Sequence, residues 1–185
     1  DPAYIAALTM FKKIGIIGAL LIVSLLAYAA TKPDTFHVQR STNINVPQEK
    51  VFAIIDDFSQ WPSWSPWEKL DPAMKKTLRG PANGKGAISE WDGNSEVGTG
   101  RTEITESIPS SKITMTLDMF KPFEAHNIVE FTLAASSGAT HVTWAMHGPS
   151  PYIAKVMSLF IDCDKMVGKQ FEEGLANLKT IAERA

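Results

Sequence analysis

The sequence predicts an α+β protein: a curved antiparallel sheet wrapped around one long carboxy-terminal helix, preceded by a single transmembrane helix. Three observations carry this prediction. Between Phe36 and His147 short segments alternate apolar with polar residues, and a period of two with one polar face means an antiparallel sheet covered on one side. From Pro151 to about Glu183, the residues Val156, Phe160, Met166, Val167, Phe171, Leu175, Leu178 and Ile181 form an apolar stripe at helical spacing. Ahead of both, Ile14 to Ala30 reads IGIIGALLIVSLLAYAA without a charge, and a membrane span needs roughly 20 mostly apolar residues.

The apolar run comes first in the chain. Phe11 and Tyr28 stand near its two ends as interfacial aromatics, and Lys12 and Lys13 precede it. The positive-inside bias keeps that amino end cytoplasmic. The rest of the chain is then expected on the periplasmic side of a bacterial inner membrane, held by a single pass. Residues 11–31 read as a transmembrane anchor or uncleaved signal. Residues 1–10 read as an extension or expression remnant, with Met10 the expected native start, and 32–185 as one soluble domain. The rival reading is a cleaved secretory signal, because Ala27-Tyr28-Ala29 has the small-x-small pattern of a cleavage site. The run is longer than a usual signal core, which favours the anchor.

Composition excludes several classes of function. Lys and Arg total 18 against 20 Asp and Glu, for a net charge of −2. The signs are interspersed with no basic stripe, so nucleic acid is not an expected partner. The one cysteine, Cys163, sits between Asp162 and Asp164. It supports neither an internal disulfide nor a zinc site, and reads as a semi-buried helix residue. The 4 histidines have no HxH or HxxxH spacing, so no metal is expected, and no fingerprint implies a cofactor.

The soluble part opens with a strand, Phe36 to Ile44, partly alternating and rich in β-branched and aromatic residues. Val46-Pro47-Gln48-Glu49 starts a helix, with proline in the first turn and a glutamate suited to the helix dipole. Val51, Phe52, Ile54 and Ile55 give that helix its apolar face. In Phe58-Ser59-Gln60-Trp61-Pro62-Ser63-Trp64-Ser65-Pro66-Trp67 the prolines interrupt regular structure, and one short helical turn followed by a loop is expected. Six strands follow: Met74 to Arg79, Gly86 to Trp91, Val97 to Ile108, Ser111 to Phe120, Asn127 to Ala135 and Thr140 to His147. Glycine, proline, asparagine and serine clusters separate them. Alternation is sharpest late: Ile113, Met115, Leu117 and Met119 share a face, as do Val129, Phe131 and Leu133, and Val142, Trp144 and Met146. Gly98-Thr99-Gly100 falls within a strand and reads as a turn or bulge, not a phosphate cradle. In the closing helix Gly168 and Gly174 each cost about 1 kcal/mol relative to alanine. Asp162-Cys163-Asp164 marks a kink or break there.

This order, with particular local sequences, resembles the polyketide cyclase-like branch of the START-like (SRPBCC) superfamily, the helix-grip fold. The matching segments are Ile44-Asn45-Val46-Pro47-Gln48-Glu49-Lys50-Val51-Phe52, Trp61-Pro62-Ser63-Trp64-Ser65-Pro66-Trp67, Gly80-Pro81, Val97-Gly98-Thr99-Gly100, Thr140-His141-Val142-Thr143-Trp144 and Gly174-Leu175-Ala176-Asn177-Leu178-Lys179. They span Phe36 to Glu183. The resemblance implies a deep apolar cavity between sheet and long helix that takes lipids, sterols, polyketides or other hydrophobic molecules. It carries no universal catalytic motif.

By themselves the apolar residues of sheet and helix read as ordinary core; the resemblance makes ten residues cavity candidates. These are Trp67, Glu90, Met115, Met119, Phe131, Trp144, Met146, Met157, Met166 and Phe171. Methionines among them are flexible and polarizable, and so adapt to varied apolar ligands. Trp61 and Trp64 are expected to pack the short helix onto the sheet. Trp67 is open between packing, capping the cavity mouth and lying against lipid headgroups. Glu90 and Glu106 are the strand carboxylates to consider for acid–base chemistry, with their parity unfixed, and His126 and His147 stand at strand ends.

Three functions follow as expectations. One is a membrane-tethered domain that binds a hydrophobic small molecule or lipid, with the bilayer and that molecule as partners. A second is an accessory subunit of a larger membrane complex, suggested by the small-residue face of Gly15, Gly18 and Ala19. The third is a cyclase- or hydrolase-type enzyme, for which the sequence offers no catalytic motif.

Overall fold

A computed structural model describes residues 2–184, with side chains described from Met10 to Arg184. The chain forms two compact units, one running to Thr35 and taking in Ser150–Asp162, the other comprising Phe36–Pro149 and the chain from Cys163 onward.

In the first unit α1 (Pro2–Ala30) is one continuous helix. Its stretch Met10–Ala30 is long and apolar enough to cross a membrane, a composition that a signal sequence shares. Leucines and isoleucines along it, such as Leu20 and Ile22, face outward with no protein covering them. The same unit holds α4 (Tyr152–Met157), which follows Pro151. The Tyr152 hydroxyl donates to the Leu26 carbonyl at 2.9 Å. The Ser150 N–H donates to the Asp34 carbonyl at 2.7 Å, and the buried Lys155 ammonium bonds the Asp34 carboxylate. That hydrogen bond, reinforced by charge, holds the exposed Asp34 carboxyl below the usual carboxylate range.

The second unit is a seven-stranded sheet in the order β1-β7-β6-β5-β4-β3-β2, with antiparallel pairing from β2 through β7. Its strands are β1 (Thr35–Ile44), β2 (Lys75–Arg79), β3 (Ile88–Asp92), β4 (Thr99–Ile108), β5 (Lys112–Lys121), β6 (Ala125–Ser136) and β7 (Ala139–Pro149). Between β1 and β2 come α2 (Gln48–Asp56), a 3₁₀ turn (Trp61–Ser63) and α3 (Trp67–Leu70). The long closing helix is α5 (Cys163–Arg184). Phe171, Leu175 and Leu178 from α5 join Ile113, Phe131 and Trp144 from the sheet in one core, with Val51 and Ile55 of α2. This is the expected helix-grip arrangement.

Several boundaries differ from the sequence reading. β4 starts at Thr99 and not Val97, because residues before it form a turn: the Asn94 carboxamide oxygen accepts from Glu96 N–H at 2.8 Å, and Gly98 N–H donates to Asn94 C=O at 2.8 Å. Gly98 has φ of 65° and the β4–β5 register shifts between Thr99 and Gly100, so this segment is a turn leading into a bulge. The tryptophan segment holds a second short helix, α3, where a loop was expected; Pro66 is well placed just ahead of its first residue.

The break expected at Asp162-Cys163-Asp164 of the closing helix is complete and begins earlier than that. The helix does not run from Pro151: α4 ends at Met157, and the chain turns before α5 begins at Cys163. The Ser158 hydroxyl donates back to the Lys155 carbonyl at 2.7 Å, and Phe160 and Ile161 N–H groups both return to Met157 C=O. These local bonds compete with helix continuation. Val156 and Phe160 therefore do not share a helix with Phe171. Cys163 is exposed, not semi-buried, since it opens α5.

The two glycines of α5 have a steric reason. A Cβ on Gly174 would stand 2.7 Å from Cζ3 of Trp144 and 3.1 Å from Cδ of Pro66. A Cβ on Gly168 would collide with the Arg40 guanidinium. That guanidinium bonds Asp164 at 3.0 Å and Glu172 at 2.8 Å, tying the first half of α5 to β1. The Arg40 hydrogen bond holds the Asp164 carboxyl below the usual carboxylate range.

Candidate functional site

Cross-strand register sorts the inward residues into rows. One row is Ile113, Phe131 and Trp144; the next is Ile104, Met115, Val129 and Met146. Beyond it lies Ser89, Thr102, Leu117 and Asn127, and then Lys76, Trp91, Gly100 and Met119. Burial is complete in the first row and weakens across the others: Ile113 and Met115 on β5 are fully buried, while Leu117 and Met119 are only partly so. The last rows enclose a cavity of about 410 Å³, within the range of small-molecule sites, about 300–1,000 Å³.

Four segments line the cavity, one of them the turn before β4 with Glu96 and Val97. Met74, Lys76, Ser89, Trp91, Thr102, Met115, Leu117, Met119, Asn127, Val129, Trp144 and Met146 line it from the sheet side. Met166, Val167 and Phe171 come from the first half of α5, and Trp61, Ser65, Trp67 and Glu68 from the tryptophan segment. An aromatic wall divides cavity from solid core. Trp144 stacks on Phe171 at 4.2 Å between centroids and 9° between planes, Trp67 meets Trp144 edge-on at 5.6 Å, and Phe131 lies 4.8 Å behind Trp144. Such pairs add about 0.5–1.5 kcal/mol beyond area burial. The indole N–H groups of Trp64 and Trp144 are buried and have no partner among the described residues, a departure from the usual pairing of buried donors.

The polar groups of the cavity are few and placed in order. Ser89, Thr102 and Asn127 belong to one row. Ser89 and Thr102 are buried. The Thr102 hydroxyl donates to Thr116 C=O at 2.9 Å, which leaves its oxygen able to accept. Among the described residues, the side chains of Ser89 and Asn127 have no hydrogen-bond partner. Glu68 of α3 and Lys76 of β2 form an ion pair in the lining. The lining includes no histidine or cysteine. Among the described residues no group of three or more His, Cys, Asp or Glu is placed to hold a metal ion.

Of the ten candidates read from the sequence, Trp67, Met115, Met119, Trp144, Met146, Met166 and Phe171 are brought together around this space. Three are not. Glu90 alternates with the lining residues Ser89 and Trp91, so it faces the other side of the sheet, where it accepts from Arg79 at 2.8 Å. Phe131 faces inward but is fully buried in the solid core against Trp64 and Trp144. Met157 lies on α4, in the other unit. Glu106 accepts from the Thr114 hydroxyl across the outer face at 3.3 Å, and His126 is exposed beside Asp118 at 2.8 Å. Trp64 packs as expected, fully buried, whereas Trp61 both donates to Ile55 C=O at 2.9 Å and touches the cavity. Sequence reasoning missed Ser89, Thr102 and Asn127. The alternation that placed Leu117 inward carries them across the register, but the register itself is not written in any one strand.

A family-level sequence model described as "Polyketide cyclase / dehydrase and lipid transport" matches residues 35–183. The chain belongs to that family. The family supports a ligand-binding helix-grip domain, in keeping with the hollow sheet. Compared with functionally curated proteins, the sequence has no significant match. Solved structures share its fold. The di-domain ARO/CYC StfQ from the steffimycin biosynthetic pathway is similar with a TM-score of 0.62 at 10% identity, over 81% of this chain and 52% of that one. The KanY protein, solved by NMR, gives 0.60 at 15% identity over 80% and 98%. Protein CV1439 from Chromobacterium violaceum gives 0.56 at 16% identity over 82% and 99%. At these identities the likeness speaks for the fold of the family.

Proposed function

We propose that this family member is a membrane-tethered domain that binds a hydrophobic small molecule, a lipid or quinone-like compound, on the periplasmic side of a bacterial inner membrane. The observation that carries the reading is the cavity of about 410 Å³ with its methionine, tryptophan and phenylalanine walls. A mostly apolar pocket with a few convergent polar groups is the default form of a small-molecule site. The row of Ser89, Thr102 and Asn127 favours a ligand that carries an oxygen function within an apolar body, because it sets a few hydrogen-bonding groups in an otherwise apolar lining. Anchoring by α1 would hold the domain where apolar ligands concentrate, raising effective concentration without new contacts. Lys12 and Lys13 at the amino end of the span support the orientation.

The test is gentle detergent extraction of the intact protein from its native membrane, followed by native mass spectrometry. The expected spectrum is the full chain with added lipid-sized mass. A species starting near Ala30 would remove the tether but leave the cavity. A stable complex with other subunits and no added mass would favour the accessory-subunit reading. That second reading draws on Gly15, Gly18 and Ala19 of α1, small residues that permit close helix packing.

A further inference from the structure

The segment Ser150–Asp162, SPYIAKVMSLFID, is unusually apolar for a piece of chain between a sheet and a helix. Its one lysine is not a free charge: Lys155 is buried and bonded to Asp34. With the Ser150–Asp34 backbone bond and the Tyr152–Leu26 bond, it fixes α4 against the last turns of α1 and the chain leaving it. What remains is an outward apolar face. Ile153 is 66% exposed and Phe160 76%, with Met157 and Ile161 also exposed. Ile153 and Met157 stand one turn apart on α4, and Phe160 and Ile161 follow on the turn that leaves it. Grouped exposed side chains of this size mark an interaction surface, whereas scattered ones need no explanation.

The position along α1 says what covers that face. Leu26, which accepts from the Tyr152 hydroxyl, lies one turn before the end of α1 at Ala30. Four residues of helix rise about 6 Å. Helices that lie in a membrane interface bury their apolar side about 5–10 Å into the headgroup–acyl boundary, and tyrosine is enriched at that level. The face belongs to the same compact unit as α1, whose exposed surface has the composition of a membrane span. We infer that Tyr152–Ile161 is a second membrane-contact element, lying in the bilayer interface beside α1 with Ile153, Met157, Phe160 and Ile161 among the acyl chains. This rests on α1 being a retained span, and is independent of what the cavity binds. The tether is then a helix with a lateral foot, latched by Asp34 and Lys155, and not a single rod.

The experiment uses the full chain in phospholipid vesicles. On a Cys163→Ser background, Ile153→Cys, Phe160→Cys, Val23→Cys within α1 and Thr132→Cys on the outer sheet face are each labelled with an environment-sensitive nitrobenzoxadiazole dye. All four positions are exposed, so folding is not at stake. With acyl-brominated phosphatidylcholine, labels at 153 and 160 are expected to lose most of their emission, as at 23, while 132 keeps its emission. Labels at 153 and 160 that stay unquenched while 23 is quenched overturn the foot and leave the span standing. Blue-shifted but unquenched labels overturn it in favour of cover by another protein or a second copy. An unquenched label at 23 sinks the span reading and the foot with it.

Discussion

The inner face of the sheet is solid at one end and hollow at the other, on the same strands. At the solid end Ile113, Phe131 and Trp64 are fully buried, and the carboxy-terminal half of α5 fills the space with Leu175 and Leu178. At the hollow end Leu117, Met119 and Trp91 are only partly covered, and α5 offers Met166 and Val167. The side-chain alternation is identical. What differs is the second layer: α2, the tryptophan cluster and the tight Gly174 approach complete one end, whereas the other faces the early turns of α5 and a short α3. The fold places its stability and its cavity on separate rows of one sheet.

The sharpest way to break the comparison is Phe131→Ala. It creates a void in the solid end, and a loss of about 3–5 kcal/mol is expected, read as a large fall in denaturation midpoint. Truncating Met119 to alanine should cost far less, because that side chain already borders open space. Equal losses at the two sites would erase the distinction. Next comes Gly174→Ala, expected to cost about 1–3 kcal/mol through overpacking against Trp144. A neutral result there would show that α5 is not held by its close approach.

Filling the hollow end tests it from the other side. Leu117→Trp is expected to leave the thermal midpoint unchanged or raised, while the fraction carrying added mass in native mass spectrometry falls about tenfold, as for about 1.4 kcal/mol of lost affinity. Smaller still, Ser89→Ala together with Thr102→Val should cost about 1 kcal/mol of stability, through the lost Thr102–Thr116 hydrogen bond, yet weaken retention of an oxygenated ligand several-fold. Unaltered retention would take the polar row out of the ligand's reach.

The smallest effect concerns the clamp that sets the hollow half of α5. The Arg40 hydrogen bond depresses the Asp164 carboxyl, so its contribution is fully present above the ordinary aspartate range and fades as pH falls through the lowered value. Below about pH 4, amide exchange in the first turns of α5 should rise before that of Leu175 and Leu178. Arg40→Met should remove this pH dependence, and a parallel acid response in the mutant would sink the assignment.

Much of this was legible in the residues. The strands from Lys112 to Pro149 follow their alternation, because a period of two leaves one choice of inward face, and the α5 stripe from Met166 to Ile181 is a helix wherever it packs. Glu90 shows where legibility ended. Its strand is short, with Ile88, Ser89, Glu90, Trp91 and Asp92 giving no clean period, and only pairing with β4 put Ser89 and Trp91 inward. Phe131 shows a second limit: inward direction is local, but whether a neighbour fills the space is not. The Ser158 turn shows a third: Asp162-Cys163-Asp164 signals a break, but the stripe through Val156 and Phe160 does not record that the helix already ends at Met157.

Taken alone, the sequence determined the fold class, the apolar helix and the inward set on the late strands, because these depend on periodicity and length within one segment. Tertiary structure alone decided that the inward set splits into core and cavity, that Ser89, Thr102 and Asn127 form one row, and that α4 belongs with α1. Each of these depends on which distant segments meet. Register and second-layer packing are set by the sum of many contacts, and no single stretch of chain carries that sum.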